Sequence, residues 1–322
     1  MTVSGIPPVK KTGVYLIDAS IYIFQAHFSP YVECSGADEE DLSALFGFTQ
    51  FLFQFLRRTT PTHVAVARDE SLQTGFRHQL HPQYKSNREL PDANLKRQLD
   101  ACGLVAKALG LADFSSTRFE ADDILGTLAN KAQGWFPDDV EICIVSKDKD
   151  LAQLLKDERY YLWDYSGNKR RYRKDVVLSY GVSPEQFPDY LGLVGDAVDV
   201  ISGIPGIGPV KAKALLNEFG SLQGIYDRLA DVSGLSLRGV KQLPALLEAH
   251  RDVAFLSKQL ATIMCEINQD DESCASVEMA DLSVLAPDEA KFTEILINLG
   301  FKNSDADRLH YQFTRQLSSI SS

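Results

Sequence analysis

The 322-residue chain is 44% hydrophobic and 24% charged, which suits one large or two ordinary globular domains and excludes a fibrous or disordered chain. No apolar run reaches the roughly 18 residues of a membrane span, and the opening MTVSGIPPVKK lacks the apolar stretch of an export signal, so a cytoplasmic location without a membrane partner is expected. Five cysteines without C-x-x-C spacing argue against a disulfide framework or a zinc site, and the net charge of −11 excludes an evenly basic surface but not acid and base grouped on separate faces.

Taken in chain order, Val14–Ile17, His63–Ala67 and Val140–Val145 are short β-branched runs bounded by turn residues, and they read as buried parallel strands. Helical periodicity over Leu42–Arg57, Leu95–Leu109 and Asp122–Lys131 separates them. The alternation predicts an α/β domain with a parallel central sheet flanked by helices, whose ligands bind beyond the carboxyl ends of the strands. Beyond about residue 175 the strand signal fades. There FPDYLGLVGDAVDVISGIPGIGPVKAKALLNEFG reads as helix, tight Gly/Pro turn, helix; further helices follow over 223–262 and near the end of 281–301. The expected division is a core over 1–175, a helical domain over 176–302 and a tail over 303–322, frayed in its closing QLSSISS.

Each predicted strand ends in acid: VYLID at Asp18, VAVARD at Asp69, and ICIVSKDKD with Asp148 and Asp150. A single Asp there is ordinarily a turn former or a helix cap. The acids of FEADDILGTLA (Glu120, Asp122 and Asp123) open a helix, where its dipole favours them. All of them, however, share one sheet edge, and two like charges ~4 Å apart at an effective dielectric of ~20 repel by roughly 4 kcal/mol. GDAVD adds Asp196 and Asp199, spaced i, i+3 on one helix face. Nine acids and no well-placed His or Cys suit hard divalent cations, Mg²⁺ or Mn²⁺. Their number fits a two-metal site for in-line displacement at phosphorus, one ion generating the attacking hydroxide and the other stabilising the leaving oxygen.

GIPGIGPVKAKAL, from Gly203 to Leu215, has the form of a helix–hairpin–helix turn. Gly206 and Gly208 allow backbone amides to face a phosphate at a helix start, and Lys211 and Lys213 add charge. Between Thr74 and Arg97 the chain carries Arg77, Lys85, Arg88, Lys96 and Arg97 with Phe76 and Tyr84 interleaved. Following strand-end Asp69, this segment is expected to rise over the acids, its cations holding a phosphodiester and an aromatic stacking a base. A second run, KRRYRK at Lys169–Lys174, reads equally well as a solvated turn or a DNA-backbone contact.

Together these stretches resemble the 5′-nuclease family, which comprises flap endonucleases and the 5′–3′ exonuclease domain of bacterial DNA polymerase I. The resemblance rests on YLIDAS, the Asp69 strand end, FRHQLHPQYKSNR, EADDILGTLA, DKDLAQLL, GDAVD, GIPGIGPVKAKALL, LRGVK and VAFLSKQLATI, in family order over roughly residues 14–302. It is closest to the bacterial branch. The resemblance implies a PIN-like core, a helical arch over about 71–97, and a metal-dependent phosphodiesterase acting on 5′ ends and 5′ flaps of DNA in replication or repair, with an RNA primer strand as one substrate. By position, Asp18, Asp69, Glu120, Asp122 and Asp123 would form a first metal site and Asp148, Asp150, Asp196 and Asp199 a second. Tyr84, Lys85 and Arg88 match the arch, with Lys85 and Arg88 on the scissile phosphate. The Gly203–Lys213 hairpin would grip duplex backbone and hold a K⁺ ion through carbonyls. A stand-alone monomer in the bacterial cytoplasm or nucleoid is expected.

Three places depart from the family pattern. Arg68 replaces the Phe before the second-strand Asp, Gln25 replaces an Arg expected to contact phosphate, and GDAVDVISG replaces GDSSDNIPG, losing Asn and Pro after Asp199. The altered loop after Asp199 and the loss of Arg at Gln25 support an alternative, a non-catalytic protein that binds branched DNA on the same fold. A small-molecule phosphohydrolase would need a second acid two residues after Asp18, where the chain has Ser20.

Overall fold

The computed structural model describes residues 11–268 and 272–320. Among these, six strands form one sheet: β1 (Lys11–Asp18), β2 (Val64–Asp69), β3 (Ala112–Ser116), β4 (Val140–Val145), β5 (Tyr160–Asp164) and β6 (Lys169–Tyr172). Their order is β3-β2-β1-β4-β5-β6. Every neighbouring pair is parallel except β5 with β6. Strands β1, β2 and β4 are those predicted. Strand β3 has the sequence ADFSS, which carries little β propensity; it forms because its backbone pairs with β2 in register from Ala65↔Ala112 to Asp69↔Ser116.

The helices, in chain order, are α1 (Ala19–His27), α2 (Ser43–Thr59), α3 (Phe76–Leu80), α4 (Ala93–Ala108), α5 (Ala121–Trp135), α6 (Arg173–Tyr180), α7 (Phe187–Val194), α8 (Pro209–Phe219), α9 (Leu222–Asp227), α10 (Leu243–Ala249), α11 (Arg251–Ala261), α12 (Glu289–Asn298) and α13 (Asn303–Ile320). Strand alternation sends Tyr15 and Ile17 to one face of the sheet and Val14 and Leu16 to the other, so both faces need cover. The first face is covered by α1, α2, α4, α12 and α13, with Phe53, Phe292 and Phe313 mutually packed. The second is covered by α5 and by Ile263, Ile267 and Leu282, which return from the C-terminal part. A third cluster joins α7 through α11 around Phe187, Leu215 and Leu247.

Two expected boundaries therefore shift. The helical cluster runs from about Val182 to Ala261, whereas the segment after it packs back on the sheet. The expected tail from 303 is instead helix α13, whose Leu309 and Phe313 are buried against the first face. An amphipathic helix with few apolar residues looks like a tail until its partner surface is known. The last two positions of the predicted frayed end and all but one of the opening eleven residues lie outside the described residues. Among the described residues, no helix is long and apolar enough to cross a membrane.

Candidate active site

The carboxyl ends of β1, β2 and β4 and the first turn of α5 meet at one edge of the sheet, where the chain must leave each strand. Asp18 ends β1 and caps α1, accepting from the Ile21 amide, and its Oδ2 accepts from the Ser146 hydroxyl at 2.8 Å. Asp69 ends β2; its amide donates to Ser20 Oγ and its Oδ1 accepts the Ala121 amide, each at 2.8 Å. Burial, and after it the charge of Asp69, pushes Asp18 up to about 7. Asp69 is raised by burial and by Glu120, and Asp122 by burial and the charges of Asp148 and Asp18. Asp18, Asp69, Asp122 and Asp148 thus repel one another across a shared, partly buried space.

Glu120 behaves oppositely. It caps α5 with Asp123 in a reciprocal capping box and receives Lys85 Nζ at 2.9 Å, the Tyr84 hydroxyl at 3.1 Å and Arg77 at 3.2 Å. Burial pushes its acid up, but Lys85 and Arg77 more than offset that and bring it to about 2. Asp123 is wholly buried and turned away from the cluster. Arg77 grips both its oxygens at 2.7 Å, and the amides of Met264 and Glu120 complete its shell. Its lone pairs are occupied by the protein, so Asp123 is withdrawn from the expected metal ligands.

The second group begins where β4 ends. Asp148 accepts the Asp150 amide at 2.8 Å, and Asp196 receives Lys149 Nζ at 2.5 Å and the Val198 amide. Asp150 is raised to about 7 by burial and by Asp148, and its buried Oδ1 has no hydrogen-bond partner. Asp199 is clamped by Arg88 at 2.6 Å, while the Lys85 amide donates to its carbonyl and Asn87 to that of Val198. The clamp bends both chains: Lys85 has φ +50° and Val200 φ +58°, a left-handed conformation poorly suited to a β-branched side chain.

Among the described residues, no group of three or more His, Cys, Asp or Glu side chains is arranged to hold an ion as it stands. Lys85, Arg88 and Lys149 supply the compensating charge instead. The donor set still fits a hard divalent cation: all oxygen, four acids raised by burial and then by neighbouring carboxylates, and an Asp150 oxygen that accepts no hydrogen bond among the described residues and has Lys149 Nζ near it, at 3.6 Å.

The expected nucleic-acid contacts divide. Gly206 (φ +84°), Gly208 and Pro209 are exposed at the start of α8, and buried Ile204 and Ile207 anchor the turn beneath them. Lys211 Nζ donates to the Gly206 carbonyl at 2.8 Å, and the Lys213 stem lies against Gly181. Gly203 serves the packing instead. A Cβ there would lie 2.3 Å from the Val194 carbonyl carbon, so the glycine permits two backbones to cross. Arg77, expected on a DNA-binding face, is buried at 3% exposure and also donates to the carbonyls of Leu260 and Thr262. Tyr84 is buried beneath Glu120 and Phe76 packs on Phe119, so neither aromatic is free to stack a base. The segment over 71–97 folds as short α3, turns and the start of α4 rather than one long arch. In the second basic run, Arg170 lies over Tyr161 and Trp163, and Arg173 pairs with Glu185.

Sequence reasoning missed the residues that orient the acids. Ser146 and Ser20 carried no signal beyond being small polar residues near strand ends. The departure at Arg68 resolves as a buried pair, its guanidinium bridging both oxygens of Asp113 on β3 at 2.7 and 2.9 Å, away from the acids.

The chain matches a family profile described as the 5′-3′ exonuclease N-terminal resolvase-like domain over residues 13–181. A second, the 5′-3′ exonuclease C-terminal SAM fold, matches residues 182–288. A 5′-3′ exonuclease of Buchnera aphidicola subsp. Baizongia pistaciae is 30% identical over 294 residues, covering 91% of this chain and 93% of that protein. The DNA polymerase I of Rhizobium leguminosarum is 34% identical over 268 residues, which are 81% of this chain but 25% of the polymerase. The chain thus spans about a quarter of that relative. Among solved structures, the T5 D15 protein co-crystallized with metal ions superposes with TM-score 0.62 at 17% identity, covering 94% of this chain and 99% of that one. The catalytic core of Rad2 in complex with DNA substrate gives 0.60 at 14%, covering 93% and 92%. At such identities the likeness concerns the fold.

Proposed function

The chain belongs to the 5′-3′ exonuclease family, and from that premise we propose that it is a structure-selective 5′ nuclease that hydrolyses phosphodiester bonds near 5′ ends and flaps of DNA in replication or repair, with two divalent cations. The observation that carries the reading is the gathering of Asp18, Asp69, Asp122 and Asp148 at one partly buried sheet edge, with the acids of Asp18, Asp69 and Asp122 raised by burial and by neighbouring carboxylates. The metal ions of the T5 structure and the DNA substrate of the Rad2 structure point the same way.

On this reading Asp18, Asp69, Glu120, Asp122 and Asp148 would hold one cation, and Asp148, Asp150, Asp196 and Asp199 the other. Bound there, Mg²⁺ or Mn²⁺ would supply charge neutralisation at the phosphate and a lowered pKa of water. The chain's own groups do the rest. Ser146 and the Ala121 amide fix the Asp18 and Asp69 carboxylates. Tyr84 and Arg77 hold Glu120 from behind, as positioning residues. Lys85 and Arg88 stand over the acids and, released from Glu120 and Asp199, would turn their N–H groups to the scissile phosphate. The exposed Gly206–Pro209 turn with Lys211 and Lys213 would bind duplex backbone. A K⁺ ion at that turn would compete with the Lys211 ammonium for the Gly206 carbonyl.

The test is a 5′-flap duplex labelled at either end, incubated with Mg²⁺ or Mn²⁺ beside an Asp150→Ala control. Cleavage near the junction is expected, and the substitution should lower it by about a hundredfold or more, the scale of losing one group that stabilises transition-state charge. Binding without product from either protein, at any metal concentration, would sink the nuclease reading and favour a junction-binding protein.

A further inference from the structure

The cations around the acidic site are of two kinds. Lys85, Arg77, Arg88 and Lys149 are each bound to a site carboxylate. Lys147 is not: it is exposed, and among the described residues no carboxylate pairs with it. Its ammonium donates instead to the side-chain oxygen of Gln25 on α1 at 2.6 Å, an oxygen that also receives the Ser166 hydroxyl at 3.3 Å. The backbone beneath it is fixed as well. Ser146 spends its hydroxyl on Asp18 and accepts the amide of Asp148, so the residues on both sides of Lys147 are tied into the site. A small cleft beside it brings Lys147, Lys169 and Arg171 together with the carboxylates of Asp148 and Asp164.

We infer that Lys147, presented by Gln25, binds a phosphate of the nucleic-acid backbone on the β4 side of the acids, within a few nucleotides of the bond that is cut. The inference rests on the nuclease reading above. Gln25 stands seven residues beyond Asp18 on α1, about 10 Å along the axis at ~1.5 Å per residue. An ammonium has three donors; Gln25 takes one, leaving the others for phosphate oxygens. A neutral amide anchor holds the charge in place without cancelling it, which a carboxylate would do. Lys85 and Arg88 are held by Glu120 and Asp199, so Lys147 would add a phosphate contact separate from theirs.

Binding to a 5′-flap duplex is measured by fluorescence anisotropy in EDTA, where nothing is cleaved, between about 50 and 200 mM salt. Lys147→Ala is expected to bind more weakly and to flatten the slope of log K against log salt by about 0.7–0.9, the value of one lost phosphate contact. Gln25→Arg in the same background restores slope and affinity by returning a cation to the α1 side. Single methylphosphonate replacements stepped along the cleaved strand weaken the wild type at one position that Lys147→Ala no longer senses. Melting of Lys147→Ala matches the wild type, and Lys147→Gln repeats the test if it does not. An unchanged slope and an identical methylphosphonate pattern would overturn the inference while leaving the nuclease reading intact. Failure of the wild type to bind flap DNA at all would overturn both.

Discussion

Arg77 spreads one guanidinium over Asp123, Glu120 and the carbonyls of Leu260 and Thr262, all at the base of the acidic site. Removing it would leave the Asp123 carboxyl fully buried with no cation beside it. Arg77→Ala is therefore expected to cost about 3–5 kcal/mol of stability, read from urea unfolding; a loss under about 1 kcal/mol, the level of an exposed pair, would contradict the account. Arg77→Lys is expected to recover only part, because a point charge cannot span both oxygens. Val200 is a second residue whose role appears only in three dimensions. It takes φ +58°, where a β-branched side chain is strained by about 1–3 kcal/mol, and it stands where the resembled family has Asn, a residue that tolerates this region. Val200→Asn should raise stability by about 1 kcal/mol; unchanged or lower stability in thermal melts would count against strain at this loop.

The same contrast holds for whole elements. Strands β1, β2 and β4 were readable because both their faces are buried, which writes a continuous apolar run. Strand β3, with ADFSS, and edge strand β6, with KRRY, carry no such run, and they exist because a neighbouring strand offers an unpaired edge. Helix α13 has apolar positions too sparse to announce a core element, yet Phe313 is fully buried and stacks on Phe292 at 4.7 Å. Phe313→Ala should destabilise the α/β core by about 3–5 kcal/mol. A frayed tail predicts no effect, so a urea midpoint equal to the wild type would restore that view. The clamp between the segment of Lys85–Arg88 and the loop of Asp196–Val200 was invisible in sequence, since the two lie more than a hundred residues apart.

Across the molecule the acids set a pH dependence. Asp18 and Asp150 rise from 3.8 to about 7, so the folded protein holds protons between pH 4 and 7 that the unfolded chain has released. Folding stability of the metal-free protein should then fall as pH rises through that window and level off above it. Glu120 has the opposite sign: lowered from 4.5 to about 2, its contribution is present above pH 4.5 and lost only as pH falls toward 2. Melting temperature measured in EDTA should drop between about pH 5 and 8, and Mn²⁺ should raise it more at the upper end than at the lower, with proton release on binding. A metal-free melting temperature that is flat or rising across this range would show that the acids are not raised.

The sequence by itself determined the α/β class, the family resemblance and the nine acids, because strand-end carboxylates and apolar periodicity are local properties fixed by spacing along the chain. Only the tertiary structure decided what each acid faces. Asp123 was lost to Arg77, Glu120 acquired three donors, Asp150 kept an oxygen without a hydrogen bond, and Lys147 found Gln25. Those outcomes depend on side chains from distant segments converging on one sheet edge. Burial and the charge of the nearest neighbour then decide whether a carboxylate is bound by the protein or left for a ligand.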